Sequence, residues 1–210
     1  MFITFEGPEG SGKTTQIQLL AAALREQGYT VTQTREPGGT DIGDQIREVL
    51  HTLKNEKMHA RTELLLYTAS RAQLVAEVIR PRLAAGEIIL SDRYVDSTLA
   101  YQGYGRGLDL TTLRLILDFA TEGLKPDLTL YLDISPEAGL ERRQIAAKQG
   151  AEWNRLDALA LDFHQRVHVG YQTLIQLEPA RWVVVDGMGG VEIIQERIRQ
   201  AVFPRLPRHS

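Results

Sequence analysis

The stretch from Phe2 to Thr15 constrains the fold of this chain more than any other part of the sequence. An apolar run is followed by a glycine-rich turn with the spacing G-x-x-x-x-G-K-T, and a helical pattern begins directly after the turn. The glycines allow successive backbone N–H groups to turn toward phosphate oxygens, and the N-terminus of the following helix adds partial positive charge. The stretch therefore predicts a phosphate-binding loop between a strand and a helix.

The positions expected to hold the phosphates of a nucleoside triphosphate are consecutive: Gly7, Pro8, Glu9, Gly10, Ser11, Gly12, Lys13 and Thr14. Lys13 is expected to reach the outer phosphates, and the Thr14 hydroxyl to hold a Mg²⁺ ion that bridges them. The alternative is a tight strand-to-helix turn that contains Lys-Thr by chance. The flanking strand and helix, and the register of both glycines, favour the phosphate-binding interpretation.

Composition limits the other possibilities. With 210 residues, of which 43% are hydrophobic, the chain can bury one core, and we expect a single domain over 1–210. A net charge of -3 gives no general attraction to nucleic acid or to an anionic membrane. The sequence has no cysteine, which excludes disulfides and thiolate chemistry. No apolar run approaches the length of a membrane span and no signal sequence is recognisable, so we expect a cytoplasmic protein.

Short apolar runs alternate with helical patterns along the chain. The predicted strands are 2–6, 29–35, 87–91, 127–133 and 181–186. After the helix that follows the loop, the predicted helices are 41–54, 61–85, 95–102, 111–122, 136–148, 154–177 and 190–201, before a Pro/Arg tail. Strands separated by helices favour a five-stranded parallel sheet with helices on both faces, which is a three-layer α/β fold.

Ligands of such sheets lie beyond the carboxyl ends of the strands. Besides the loop, those ends carry Arg35 to Gly39, Asp92 to Tyr94, and Asp186 with Gly187. Any one of these segments alone is equally well read as a capped turn or a surface ion pair. Their convergence at one edge predicts a site rich in arginine and carboxylate, as phosphate and magnesium require.

Two helical spacings add candidate residues. Tyr67 and Arg71 lie four apart, so they share one helix face and can address one ligand together. Tyr94, Thr98 and Tyr101 repeat at four and three, which again defines one face. Core tyrosines and a solvated arginine are the more common origin of such patterns, and the spacing alone leaves that alternative open.

The motifs together resemble the bacterial thymidylate kinase family, the ATP- and magnesium-dependent dTMP kinases. The resemblance rests on FEGPEGSGKTTQ at 5–16, TREPGGT at 34–40, ELLLYTASRAQ at 63–73, SDRYVDSTLAYQG at 91–103 and PDLTLYLDISPEAGLERR at 126–143. The second and fourth motifs are specific to this family, whereas many NTPases share the phosphate loop. The resemblance implies a P-loop NTPase fold and phosphorylation of dTMP to dTDP.

The resemblance also implies a set of dTMP-binding residues: Glu9, Arg35, Glu36, Pro37, Tyr67, Arg71, Arg93, Thr98, Tyr101 and Gln102. Tyr67 stands where the family usually has a Phe that stacks on thymine, and Arg71 where an Arg binds a pyrimidine carbonyl. Tyr101 matches a residue against the deoxyribose, and Thr98 one at the base edge. Arg93 matches the arginine that holds the acceptor phosphate, and Glu9 the carboxylate that accepts from the sugar 3′-hydroxyl.

The catalytic charges implied by the resemblance are Lys13, Arg93, Arg143 and Arg155, with Asp92 as an outer-sphere partner of the magnesium ion. Some relatives carry an arginine in the phosphate loop where this chain has Gly10. The others place arginines in a mobile lid over ATP, which corresponds here to a lid segment of about 142–155 and adds Arg142 as an ATP contact. A solvated helix end is the alternative for the lid arginines.

Three functions stay open on the sequence: dTMP kinase, a P-loop kinase for another deoxynucleotide or for a deoxynucleoside, and a nucleotide-binding switch or scaffold. Arg93 favours a phosphorylated acceptor, and the N-K-x-D signature expected of a GTPase is missing from the sequence. Relatives in the resembled family are homodimers, which implies a homodimer here, with the apolar faces of 61–85 and 95–122 as candidates for the interface.

Overall fold

A computed structural model of the chain describes residues 1–207, so the last three residues of the predicted domain, and the end of the Pro/Arg tail, lie outside the described part. The five strands are β1 (Phe2–Glu6), β2 (Val31–Arg35), β3 (Ile88–Asp92), β4 (Leu128–Asp133) and β5 (Trp182–Asp186). They form one parallel sheet in the order β2-β3-β1-β4-β5. The predicted five-stranded parallel sheet is confirmed, with strand ends shifted by one or two residues.

The α-helices are α1 (Lys13–Glu26), α2 (Asp41–His51), α3 (Ala60–Leu74), α4 (Arg80–Ala84), α5 (Val95–Thr98), α6 (Leu110–Thr121), α7 (Pro136–Lys148), α8 (Leu161–Leu177) and α9 (Val191–Val202). Two π-helical segments, Val75–Ile79 and Leu99–Gly105, continue α3 and α5 without a break. Single turns of 3₁₀ helix lie at Leu53–Asn55 and Phe203–Arg205. The helix predicted over 61–85 is thus one helical rod in three parts.

The apolar core lies on both faces of the sheet, because β1 and β4 are buried on both sides. On one face, Ile3 and Phe5 pack with Leu20 of α1 and Ile198 of α9. On the other face, an aromatic cluster joins the sheet to α8 and to the π-helical segment, and it contains Tyr101, Tyr131, Phe163 and Tyr171. The helices therefore cover both faces, as the three-layer prediction required.

One predicted helix begins later than its pattern indicated. The helix expected over 154–177 starts at Leu161, and the preceding residues form turns. Asn154 accepts from the backbone N–H of Leu156 at 2.8 Å, and Asp157 accepts from that of Asn154 at 3.0 Å. These short side chains satisfy backbone donors locally and so compete with helix formation. The prediction was wrong for this turn-forming part and is confirmed from Leu161 onward.

No helix within residues 1–207 is both long enough and apolar enough to cross a lipid bilayer.

Candidate active site

A cavity of about 460 Å³ opens at the carboxyl edge of the sheet. It brings together most of the residues singled out from the sequence: Glu9, Gly10, Gly12, Lys13, Thr14, Arg35, Glu36, Pro37, Tyr67, Arg71, Asp92, Arg93, Thr98, Tyr101, Gln102, Arg142 and Arg143. Gly7, Pro8, Ser11 and Arg155 are not among its lining residues. Asp186 also lies away from it and pairs with Arg197 at 2.9 Å. Strand five thus contributes no acidic group to this cavity.

The phosphate loop curves around the Lys13 ammonium group. Gly12 has φ 89°, a conformation that glycine adopts at little cost, and α1 begins directly after it. Lys13 Nζ donates to the carbonyl of Pro8 at 2.9 Å and to that of Gly7 at 3.2 Å. Burial, with the nearby Arg93 charge, lowers the pKa of Lys13 to about 8. The loop therefore holds a cation whose charge a phosphate ligand would stabilise.

Two oxygen-bearing side chains meet beside the loop. The Thr14 hydroxyl donates to Asp92 Oδ2 at 2.8 Å, which joins the start of α1 to the end of β3. Hydroxyl and carboxylate oxygens are the hard ligands that Mg²⁺ prefers, usually together with waters and substrate phosphates. The residues present therefore fit a magnesium ion at this point.

Arg93 lines the cavity and is held by Glu9 from the loop. Arg93 Nη2 donates to Glu9 Oε1 at 2.7 Å and to the Tyr101 hydroxyl at 3.1 Å. Burial alone would raise the pKa of Glu9, but Arg93 and Lys13 outweigh it and lower that pKa to about 2. Glu9 is therefore ionised throughout the physiological range, and it ties the phosphate loop to the residue after β3.

Arg71 lies at the far end of the cavity and is 1% exposed. Its Nε donates to Glu36 Oε2 at 2.7 Å, and its Nη1 donates to the Thr98 hydroxyl at 2.9 Å. Tyr67, one turn earlier on α3, also faces the cavity. Glu36 Oε1 is buried and has no hydrogen-bond partner among the described residues. The guanidinium of Arg71 and the ring of Tyr67 thus line one pocket, as their spacing predicted. The free acceptor Glu36 Oε1 belongs to a third residue that lines the same cavity.

Other predicted substrate residues have partners of their own. Arg35 is half exposed and pairs with Asp44 at 3.1 Å, while Pro37 follows a cis peptide bond. The Gln102 side chain donates to Glu63 Oε1 at 2.9 Å. These residues line the cavity without touching the phosphate loop directly.

The phosphate loop is packed tightly against the helix that begins the lid segment. A Cβ at Gly10 would lie 2.3 Å from the carbonyl oxygen of Gly139 in α7, and the φ of Gly10 is 72°. A Cβ at Gly139 would in turn lie 2.3 Å from the carbonyl oxygen of Glu9. The sequence showed only that Gly10 lacks an arginine side chain, and the structure adds that α7 occupies the space.

The lid arginines differ in their surroundings. Arg142 points at the carbonyl of Gly187 at 3.4 Å, and Arg143 makes a two-pronged contact with Asp157 at 2.6 and 3.0 Å. Both line the cavity. Arg155 is buried and pairs with Glu63 at 2.6 Å. The first two are therefore near the phosphate loop in this conformation, and the third is engaged elsewhere.

Three buried carboxylates of the site were missed from the sequence. Glu6 accepts from Tyr94 N–H, Glu63 joins Arg106 and Arg155, and Asp157 holds Arg143. Glu6 ends an apolar strand and Glu63 directly precedes the apolar run at 64–66, and this contrast was the one available signal for both. The partners of Glu6 and Glu63 named here are between 43 and 92 residues away, and Arg143 is 14 residues from Asp157, so a local pattern could not identify them.

These features define a class of protein. A phosphate-binding loop at one end of the cavity, and a guanidinium with a planar binding pocket at the other, are the parts of a P-loop kinase that acts on a small phosphorylated acceptor.

Comparison with known proteins narrows the class to one family. A family model described as "Thymidylate kinase" matches residues 5–198. The thymidylate kinase of Roseiflexus castenholzii is 53% identical over 98% of this chain and 94% of its own, and that of Bacillus pumilus is 51% identical over 100% and 98%. The crystal structure of thymidylate kinase from Ehrlichia chaffeensis superposes with a TM-score of 0.76 at 32% identity, over 96% of this chain and 98% of that one. The chain belongs to the thymidylate kinase family.

Proposed function

We propose that this chain transfers the γ-phosphoryl group of ATP to dTMP and so forms dTDP. The observation that carries the proposal is the continuity of the cavity from Lys13, through Arg93, to Arg71. A single space holds a triphosphate site and an acceptor site, with a guanidinium between them. Family membership supports the same reaction, with ATP as the phosphoryl donor.

The chemistry brings two polyanions together in line, so the protein must neutralise charge and hold geometry. Lys13 neutralises the outer phosphates of ATP, and Arg93 places its positive charge against the phosphate of dTMP. A general base is not needed, because a phosphate monoester with a second pKa of about 6 is already largely ionised at neutral pH. Glu9 keeps Arg93 oriented and accepts from the sugar 3′-hydroxyl.

We propose that Thr14 and Asp92 hold the magnesium ion, with Thr14 as a ligand and Asp92 acting through water. The contact between their oxygens at 2.8 Å supports this assignment. A magnesium ion held there would supply positive charge that offsets the negative charge of the ATP phosphates. Asp92 keeps the Thr14 hydroxyl turned toward this point.

Recognition of thymine is assigned to Tyr67 and Arg71. The Tyr67 ring offers a stacking face, and Arg71 donates to a pyrimidine carbonyl while Glu36 and Thr98 fix its plane. Tyr101 covers the deoxyribose, and its hydroxyl is already committed to Glu9 at 3.1 Å. The buried pairing of Arg71 with Glu36 fixes the orientation of the guanidinium, which favours discrimination between bases.

The last catalytic charge is assigned to the lid segment, with Arg143 and Arg155 as the candidates and Arg142 beside the nucleotide. Arg143 is favoured over Arg155, because it lines the cavity while Arg155 must leave a buried carboxylate to reach ATP. We place the reaction in the cytoplasm, where nucleotide pools supply both substrates.

A homodimer is also proposed, formed through α3 and α6. Leu65 of α3 is exposed, and so are Leu115 and Phe119, which lie four apart on one face of α6. Phe119 is 88% exposed, which is unusual for a side chain of its size unless a partner covers it.

The test is ATP-dependent formation of dTDP from dTMP with magnesium, beside thymidine, dUMP and dCMP as acceptors. We expect turnover of dTMP above the other three, and a fall in kcat/KM of roughly 100-fold or more in Arg93→Ala, since a charged contact to the acceptor phosphate is lost. Absence of dTDP with the unmodified chain would refute the proposal. An unimpaired Arg93→Ala variant would refute the role of Arg93 alone.

A further inference from the structure

Glu6, the last residue of β1, is a buried carboxylate that the proposed chemistry leaves without a role. It is 0% exposed. Its Oε1 accepts from the backbone N–H of Tyr94 at 2.8 Å, and its Oε2 accepts from the hydroxyls of Ser97 at 2.5 Å and Tyr171 at 2.7 Å. Burial of a carboxylate is costly unless such bonds compensate it. Three donors converge on this group from two segments, the first turn of α5 with its preceding residue, and α8.

The two hydroxyls connect Glu6 to Arg93. Ser97 Oγ and the Tyr171 hydroxyl accept from Arg93 Nη1 at 3.0 and 3.1 Å. A hydroxyl has one proton. Each oxygen can therefore accept from Arg93 only while its own proton is donated to another acceptor. The two oxygens are 3.0 Å apart, and without a common acceptor one of them would donate to the other. Glu6 accepts a hydrogen bond from each hydroxyl, so the lone pairs of both hydroxyl oxygens face the guanidinium.

Glu6 also supports the backbone at Arg93, which has φ 74°. This left-handed conformation is unfavourable for a residue with a side chain. Arg93 N–H donates to the carbonyl of Phe5 at 2.9 Å, and the next N–H, that of Tyr94, donates to Glu6. Tyr94 precedes α5 and offers no side-chain cap of its own. Two neighbouring residues of β1 thus hold both sides of the turn that aims Arg93 into the cavity.

We propose that Glu6 is a positioning residue for the acceptor phosphate, which orients the Arg93 guanidinium through Ser97 and Tyr171 and fixes its left-handed turn through the Tyr94 N–H. The proposal rests on the proposed function, because it assumes that Arg93 binds the phosphate of dTMP. Glu6 lies directly before the phosphate loop. Strand β1 would therefore support both the ATP site, through the loop, and the dTMP site, through Arg93.

The charge state of Glu6 decides whether it can fill this role. Burial, and then the neighbouring Asp96, raise the pKa of Glu6 to about 7, whereas Arg93 and the two hydroxyls favour its ionised form. Only the carboxylate can accept all three hydrogen bonds. An amide in its place offers one accepting oxygen and one NH₂ donor, and so it opposes either the Tyr94 N–H or the two hydroxyl protons.

The experiment measures dissociation constants for dTMP and for thymidine, which lacks the phosphate, in four proteins. These are the unmodified chain, Glu6→Gln, Tyr171→Phe and the control Thr4→Val. Thr4 is a buried residue of the same strand that contacts Thr129 at 2.9 Å and does not line the cavity. Glu6→Gln is expected to weaken dTMP binding roughly tenfold to a hundredfold while thymidine binding stays the same. Tyr171→Phe should give a smaller loss of the same kind, and Thr4→Val neither.

A double-mutant cycle with Arg93→Ala distinguishes an effect of Glu6 that acts through Arg93 from a general disturbance of the fold. If Glu6 acts through Arg93, Glu6→Gln will cause no further loss of dTMP binding in the Arg93→Ala background. Equal dTMP affinity in Glu6→Gln and the unmodified chain would overturn the proposal, as would a parallel loss of dTMP and thymidine binding. If Glu6→Gln does not fold, unchanged dTMP binding in Tyr171→Phe overturns it instead. Failure of the unmodified chain to bind dTMP would refute the proposed function, which is a different result.

Discussion

At the scale of single residues, Lys13 lies in an environment that disfavours the protonated form of its amino group. Its pKa of about 8 is below the ordinary value of 10.5, first because of burial and then because of Arg93. The phosphates of ATP would add several negative charges beside it and raise that pKa again. Proton binding at Lys13 and ATP binding must therefore be linked.

We predict that ATP binding takes up a proton at alkaline pH. Above about pH 8 the free protein has begun to lose the Lys13 proton, whereas the complex keeps it, so affinity for ATP falls as pH rises through this range. Calorimetry near pH 9 in two buffers with different ionisation enthalpies measures the uptake directly. Lys13→Arg is the control, because a guanidinium stays charged and takes up no proton. Identical binding heats in both buffers for the unmodified chain would contradict the linkage.

The candidate residues of the cavity were largely predictable from the sequence, but the groups that orient them were not. The phosphate loop, Arg71 and Arg93 belong to local patterns in which residue type and spacing express the chemistry. Glu6 and Glu63 each appear as one acidic residue beside apolar ones. Their functions depend on which donors the fold brings to them, and short motifs contain no such information.

At the scale of elements, one carboxylate links three segments of the chain. Glu63 of α3 is 0% exposed and pairs with Arg155 next to α8, while it accepts from Gln102 and Arg106 at the π-helical segment and its end. The lid segment is thus fastened to the helix that carries Tyr67 and Arg71. The proposed lid segment and the base pocket proposed at Tyr67 and Arg71 therefore share a common anchor.

We predict that Glu63→Gln lowers the free energy of unfolding by about 3–5 kcal/mol, because it leaves Arg155 buried without an opposite charge. Urea unfolding at neutral pH measures this quantity. The control is Glu122→Gln, since Glu122 pairs with Arg80 but its side chain is 76% exposed. A change within about 1 kcal/mol is expected there. Similar effects of both substitutions would show that the buried pair contributes no more than the surface pair.

The elements also show where periodicity alone fails. The pattern over 154–177 continues through the turn, because Leu156 is apolar at a helical spacing. The side chains of Asn154 and Asp157 nevertheless accept hydrogen bonds from nearby backbone N–H groups, which replaces the helical pattern with a turn. Asp157 in addition binds Arg143, so the break in the helix and the placement of a lid arginine have the same cause. The Asn-x-x-Asp spacing indicates the local turn, but Ala160 before Leu161 makes no side-chain cap, so the sequence has no capping residue that marks the start of α8.

At the scale of the whole molecule, the cavity and the proposed interface meet in α3. This helix directs Tyr67 and Arg71 into the cavity, while Leu65 on its outer side is exposed beside α6. Packing of a second copy against α3 and α6 would restrict movement of the base pocket. Dimer formation and binding of dTMP are therefore expected to support one another.

We predict that the unmodified chain has twice the monomer mass in solution and that Phe119→Asp makes it monomeric, because a charge at the centre of an apolar interface cannot be paired there. Sedimentation equilibrium measures the mass. Ile193→Asp is the matched control, since Ile193 is an exposed apolar residue on α9, away from α3 and α6. A monomeric unmodified chain, or a dimeric Phe119→Asp variant, would contradict the proposed interface.

The close contact of Gly10 with Gly139 has a consequence for how such enzymes change over evolutionary time. An arginine at position 10 would need space that the backbone of α7 fills, at a φ that side chains rarely adopt. We therefore expect that a single substitution at position 10 would not move the catalytic charge proposed for the lid into the phosphate loop of this chain. An arginine at position 10 would first require a shift of α7. The position proposed for that charge therefore depends on the phosphate loop and α7 together.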